Sequence, residues 1–184
     1  MMYIGIDPGI KGAISIVDDK GKLVYCKPLP TRKEESKSGR KMSRIDIAEV
    51  NKRFAYISRK YSRYVLVIEK QIAMPGQNSI GTFNTGLGYG ILLALISVNF
   101  SGQMLDIISC KEWQEAIITN RTFVLSKVRR DRRKQLKLDS VSKARELFPY
   151  FNFKRTARSK IDNDGMTDSS LMAYYCYQKH KSNG

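Results

Sequence analysis

The chain has 184 residues and a mass of 21.0 kDa, the size of one domain, and 42% of it is hydrophobic, which excludes wholesale disorder. Its 33 Lys and Arg stand against 17 Asp and Glu, a formal charge of +16. That excess points to a polyanionic partner, nucleic acid ahead of an anionic membrane surface, and exceeds what any small acidic substrate requires.

Met2 to Asp7 alternates and favours a strand, followed by the turn Pro8-Gly9. Gly12 to Val17 is a second strand, Asp18 to Gly21 a hairpin-type turn and Lys22 to Cys26 a third strand, so an antiparallel meander opens the chain. Pro28 to Ser43, rich in Lys, Arg, Glu and Ser, is expected to be a long exposed loop. Arg44 to Lys60 has helical periodicity through Ile47, Val50, Phe54 and Ile57. Tyr64 to Ile68 is an apolar run without alternation, expected for a strand buried on both faces, and it ends in Glu69. A loop from Gln71 to Thr82 precedes a helix over Phe83 to Val98, then a strand over Met104 to Ile108 and a short helix over Lys111 to Ile118. Arg121 to Lys137 carries eight Lys or Arg and one Asp. Asp139 is the expected cap of a helix ending before Pro149, and a last helix covers Thr167 to Lys179. The order predicts an α/β fold, a mixed sheet with helices on both faces, in a single domain spanning residues 1–184.

The cysteines, Cys26, Cys110 and Cys176, match neither a disulfide framework nor a zinc knuckle and are expected to be buried small hydrophobes. The single histidine, His180, is expected at the surface near the end. Any resident metal is therefore held mainly by carboxylates and is a hard cation. The N-terminus lacks the features of a secretory signal, and the longest apolar stretch, Leu87 to Val98, is short for a membrane span. A cytoplasmic protein without membrane contact is expected, in a host cell if the chain is phage-encoded.

Two acids, Asp7 and Glu69, end apolar strands. If those strands are parallel neighbours, both carboxylates leave the sheet at one edge, a common place for a site. On the last helix Asp168, Leu171, Met172 and Tyr175 share one stripe, and Asp164 lies four residues before Asp168. Converging carboxylates are unfavourable without cations, and two divalent ions would resolve the conflict and support phosphodiester cleavage. Each acid also has a plain structural role open to it, as a turn former or helix cap.

Tyr3-Ile4-Gly5-Ile6-Asp7-Pro8-Gly9, Val67-Ile68-Glu69-Lys70 and Asp164-Gly165-Met166-Thr167-Asp168 resemble the three catalytic motifs of RuvC-like Holliday junction resolvases. Met74-Pro75-Gly76-Gln77 with Phe83 and Gly86 to Ile91 resembles the phage-type branch. The resemblance spans nearly the whole chain. It implies an RNase H-like fold with a five-stranded mixed sheet, a homodimer, two Mg²⁺ or Mn²⁺ ions per site, and paired nicking of four-way junctions. Carried over, Asp7, Glu69, Asp164 and Asp168 are the catalytic metal ligands. The bacterial spacing would place the third acid at 165, which is Gly here, and Asp162 is the alternative to Asp164.

The expected DNA contacts are Gln77, Asn78, Ser79 and Phe83 at the junction, with Lys127, Arg129, Arg130, Arg132, Arg133 and Lys134 on phosphates. Arg32, Lys33, Lys37, Arg40 and Lys41 are weaker candidates. Phe83 also fits a core stripe with Leu87, Ile91 and Leu95. Gly86, Gly90 and Ala94 line one helical face, either for close packing within the chain or for the dimer interface of the family it resembles. A same-fold nuclease for forks, flaps or hybrids, and an actin-like ATPase relative, are the alternatives.

Overall fold

The structure, a computed structural model, describes residues 1–35, 39, 41–73, 76–118 and 129–181, without the side chains of 129–133. The main sheet holds β1 (Met2–Ile6), β2 (Ala13–Asp18), β3 (Leu23–Pro28), β6 (Tyr64–Glu69) and β7 (Met104–Ile108) in the order β3-β2-β1-β6-β7. β1 pairs antiparallel with β2 and parallel with β6, and β6 pairs parallel with β7. This is the expected mixed five-stranded sheet.

Alternation along the central strands divides the core in two. Ile4, Ile6, Leu66 and Ile68 face α1 (Ile47–Lys60) and α2 (Ser79–Asn99), against Val50, Phe54, Ile57, Leu92 and Ile96. Tyr3, Val65 and Val67 face α3 (Cys110–Ile117), α4 (Arg129–Leu147) and α5 (Asp164–Lys181), against Trp113, Phe148, Leu171 and Met172. Central strands buried on both sides read as continuous apolar runs, as Tyr64 to Ile68 does. α5 lies against β1 at Gly5, where an added Cβ would stand 2.2 Å from the Ser169 carbonyl oxygen. The Ser15 hydroxyl, buried in β2, shares hydrogen bonds with Ser169 at 2.7 Å and Ser170 at 2.9 Å.

Several local expectations are corrected. The segment expected as a long loop contains a hairpin, β4 (Thr31–Glu35) and β5 (Lys41–Ile45), separate from the main sheet. Its charges hide the strand alternation, and the Arg44–Glu34 ion pair (3.4 Å) links the two strands. α2 begins at Ser79, because the Asn78 side chain accepts from Gly81 N–H at 2.7 Å. Asp139 lies inside α4 rather than capping it, where Gln135 Nε2–H donates to its Oδ1 at 2.8 Å. α5 begins at Asp164 rather than at Thr167, with Asn163 Oδ1 accepting from Met166 N–H at 3.0 Å. Cys110 is exposed, unlike Cys26 and Cys176. His180 is only partly exposed, stacked near Tyr3 and 3.5 Å from Asp106. The apolar helix is longer than expected: α2 is long and apolar enough to cross a membrane by length and composition. Leu92 and Ile96 belong to the core, however, and Asn99 Nδ2–H donates to Asn51 Oδ1 at 2.8 Å, which ties α2 to α1.

Candidate active site

The parallel register sets Ile6 opposite Ile68, so Asp7 and Glu69 leave the carboxyl ends of adjacent strands side by side. α5 brings its first turn to the same edge. A Cβ on Gly165 would lie 2.2 Å from the Lys11 carbonyl oxygen and 2.8 Å from Asp7 Oδ2. Gly165 thus lets the helix start touch the turn after β1, and no side chain fits there. An acid at 165 is therefore sterically excluded, and the neighbouring acid is Asp164. Gly12 is equally confined, its added Cβ falling 2.0 Å from the Asp7 carbonyl oxygen.

The carboxyls sense one another. Burial first, then the Glu69 charge, pushes Asp7 up to about 7, against a lowering hydrogen bond from Gly9 N–H. Burial, then Asp7 and Glu69, raises Asp168 well above the usual carboxylate range. Burial also raises Glu69, opposed by hydrogen bonds from Trp113, Cys110 and Gln71. Asp164 contributes to the raised values of both Asp7 and Asp168, which places it in the same group. Its Oδ2 accepts from Lys137 Nζ at 2.5 Å. Asp162 is turned elsewhere, held by Arg145 Nε (2.6 Å) and Nη2 (2.8 Å) on α4. The geometry therefore favours Asp164 over Asp162.

Two observations bear on a cation. Asp168 Oδ1 is buried without a hydrogen-bond partner among the described residues. An orphaned carboxylate oxygen is costly unless something positive meets it. The donor set is all oxygen, as hard divalent ions prefer. Among the described residues no three ligating side chains are already drawn together as a cage. The residues fit a hard cation, with Asp7, Glu69, Asp164 and Asp168 as its oxygen donors.

The sequence reading missed the residues that orient these acids. Trp113, fully buried on α3, donates Nε1–H to Glu69 Oε2 at 2.9 Å. Gln71 Nε2–H donates weakly to Glu69 Oε1 at 3.5 Å. Ser140, buried on α4, hydrogen-bonds to Asp168. Trp113 was visible as the only tryptophan, on a helix after the next parallel strand, but no spacing rule ties it to Glu69.

The expected DNA residues fall in three places. Asn78 caps α2, Gln77 Nε2–H donates to Thr85 Oγ1 at 3.3 Å, and Ser79 opens the helix at the surface. Phe83 is 67% exposed, so the core stripe is ruled out for it. Lys134 is exposed on α4; Arg129, Arg130, Arg132 and Arg133 lie on that helix with undescribed side chains, and Lys127, Lys37 and Arg40 lie outside the described residues. Gly86, Gly90 and Ala94 are exposed rather than packed within the chain, and nothing lies within 4 Å of a Cβ added at Gly86 or Gly90.

Among solved structures, Thermus thermophilus RuvC in complex with a Holliday junction substrate superposes with a TM-score of 0.62 at 14% identity, covering 99% of this chain and 97% of the other. The chain has the RuvC fold. A second Thermus thermophilus RuvC structure matches RuvC-like at 0.54 and 13% identity over 99% and 97% of the two chains. The yeast mitochondrial Holliday junction resolvase matches at 0.50 and 19% identity, over 98% of this chain and 81% of that one. No protein-family profile and no curated protein sequence matches. At these identities the likeness to RuvC is one of fold, and none of the three speaks to the phage-type branch.

Proposed function

We propose that this chain is a divalent-metal-dependent endonuclease that cuts branched DNA, four-way junctions foremost, and works as a homodimer. The observation that carries the reading is the convergence of Asp7, Glu69, Asp164 and Asp168 at one edge of a RuvC fold, in a chain of charge +16. The Thermus RuvC of that fold is seen with a Holliday junction.

Asp7, Glu69, Asp164 and Asp168 would hold two Mg²⁺ or Mn²⁺ ions, which when bound would supply charge neutralisation at the phosphate and activation of the attacking water. The chain's own side chains do the rest. Trp113 and Gln71 fix the Glu69 carboxylate, Ser140 fixes Asp168, and Gly9 N–H holds Asp7. Lys137 pairs with Asp164 and offsets its charge. Exposed Phe83, on the first turns of α2, is placed to wedge into a crossover whose bases unstack easily. The basic residues of α4 supply phosphate contacts, each adding about 0.9 to the salt slope on duplex arms. Shape and deformability of the junction then select the substrate.

The dimer reading rests on α2. Leu87 and Val98 are 42% and 74% exposed on the side that carries Gly86, Gly90 and Ala94. A second copy covers such an apolar, small-residue face and sets two active sites about a two-fold axis.

The test is a nicking assay with Mg²⁺ on a labelled four-way junction, a fork, a flap, an RNA hybrid and a linear duplex. Junction nicking by the wild type, lost in Asp7→Asn, Glu69→Gln, Asp164→Asn and Asp168→Asn but kept in Asp162→Asn, is expected. Equal rates on linear duplex and junction defeat the junction reading. Absence of Mg²⁺-dependent cutting on every substrate defeats the nuclease reading.

A further inference from the structure

The β4–β5 hairpin stands apart from the main sheet yet is fastened to α2. Arg44 Nη1 donates to Asn84 Oδ1 at 2.5 Å, and Ile45 Cδ1 lies 3.4 Å from the place of a Cβ on Gly88. Between hairpin and helix runs a groove of about 710 Å³ that begins at Pro8, Gly9 and Ile10, the residues directly after Asp7. Its charged lining is Arg32, Lys41, Arg44 and Glu34, three positive and one negative, a net +2. The single acid is shared between Arg32 (2.7 Å) and Arg44 (3.4 Å). Ile10 and Ile47, each about 40% exposed, give it apolar walls.

We propose that this groove holds an unpaired DNA strand, a nucleotide at a time, beside the carboxylate site. The inference rests on the nuclease reading and adds a binding site to it. A volume within the roughly 300–1,000 Å³ of ligand pockets takes a nucleotide and not a duplex. A basic rim above apolar walls is the arrangement that binds single strands without sequence preference: phosphates meet the cations, and base and sugar cover the apolar surface. The groove opens where β1 delivers Asp7, so a strand lying in it leads to the cluster. Junction arms unstacked near the crossover supply such a strand.

The experiment measures binding of a fluorescent oligothymidylate containing a photoreactive thymidine, with Ca²⁺ present, across a salt series. The proteins are wild type, the double variant Arg32→Ala/Lys41→Ala, and Ser43→Trp, which fills the groove from β5 without removing a charge. The double variant is expected to bind about tenfold more weakly and to lose about 1.4 from the salt slope, 0.7 for each phosphate contact on a single strand. Ser43→Trp is expected to weaken binding with an unchanged melting temperature, and to abolish the cross-links that wild type forms to β5 and the first half of α2. Wild-type affinity and slope in the double variant, or wild-type cross-links in Ser43→Trp, overturn the proposal. A wild type that binds the oligonucleotide in the groove but never nicks branched DNA refutes the nuclease reading instead.

Discussion

Removing one indole N–H tests the site more sharply than removing a carboxylate. Trp113 donates to Glu69 Oε2 at 2.9 Å from a fully buried ring, so Trp113→Phe deletes the donor and keeps most of the packing. A hydrogen bond to a charged acceptor contributes about 1.5–3 kcal/mol. Its loss also leaves Glu69 with fewer groups opposing the burial that raises its proton affinity. Both effects disfavour the ionised, oriented carboxylate that a cation needs, and supporting residues of this kind change metal affinity or activity by about 10–100-fold when replaced. The expected result is a half-saturating Mn²⁺ or Mg²⁺ concentration raised at least about tenfold, with much of the nicking rate recovered at high metal. The smaller ring lowers the melting temperature as well, but a packing defect alone does not move the metal dependence. Trp113 is the only tryptophan, so its emission in the wild type reports metal binding without any turnover. Wild-type metal dependence in Trp113→Phe, together with wild-type emission that ignores Mn²⁺, refutes the reasoning.

Other consequences are measurable on the same protein. Gly165→Ala places a methyl 2.2 Å from the Lys11 carbonyl oxygen, so α5 must shift; a loss of about 1–3 kcal/mol in denaturant unfolding and a large loss of nicking are expected. Asp7, raised to about 7, keeps its proton in the folded chain above the pH where the unfolded chain releases it. Metal-free stability is therefore expected to fall as pH rises from about 4 to 7, and a divalent ion to restore it most at the upper end; flat melting temperatures across that range with and without Mn²⁺ contradict this. Lys137→Ala frees Asp164 from its ion pair, and a lower metal-free melting temperature with little change once Mn²⁺ is bound is expected. Leu87→Glu puts a charge in the uncovered face of α2, and sedimentation is expected to show monomers where the wild type is dimeric.

The strands that carry Asp7 and Glu69 were legible because unbroken apolar runs ending in acids have few explanations in a central strand. Their parallel pairing follows from two antiparallel steps, β1 to β2 to β3, which restore the direction of β1, and from the α1-containing crossover that carries the chain from β3 to β6 in that same direction. The terminal helix was legible through its stripe, but its first turn was not, since Asn163, Asp164 and Thr167 are all good caps and only packing against Gly12 and Lys11 selects among them. The β4–β5 hairpin was hidden because an exposed ribbon of charged residues has no apolar alternation to betray it. The supporting groups Trp113, Gln71 and Ser140 share a deeper reason for their invisibility. They act through contacts between elements far apart in the chain, such as Trp113 and Glu69 across a 44-residue separation. Periodicity reports which face of an element is buried, not which buried polar atom it will meet. Carboxylates are conspicuous in a basic chain, whereas the neutral donors that make them usable look like ordinary core. A site of this kind is thus read from sequence as charges and from structure as the hydrogen bonds that aim them, and Asp168 Oδ1, buried with no such bond among the described residues, is an atom that no sequence pattern singles out.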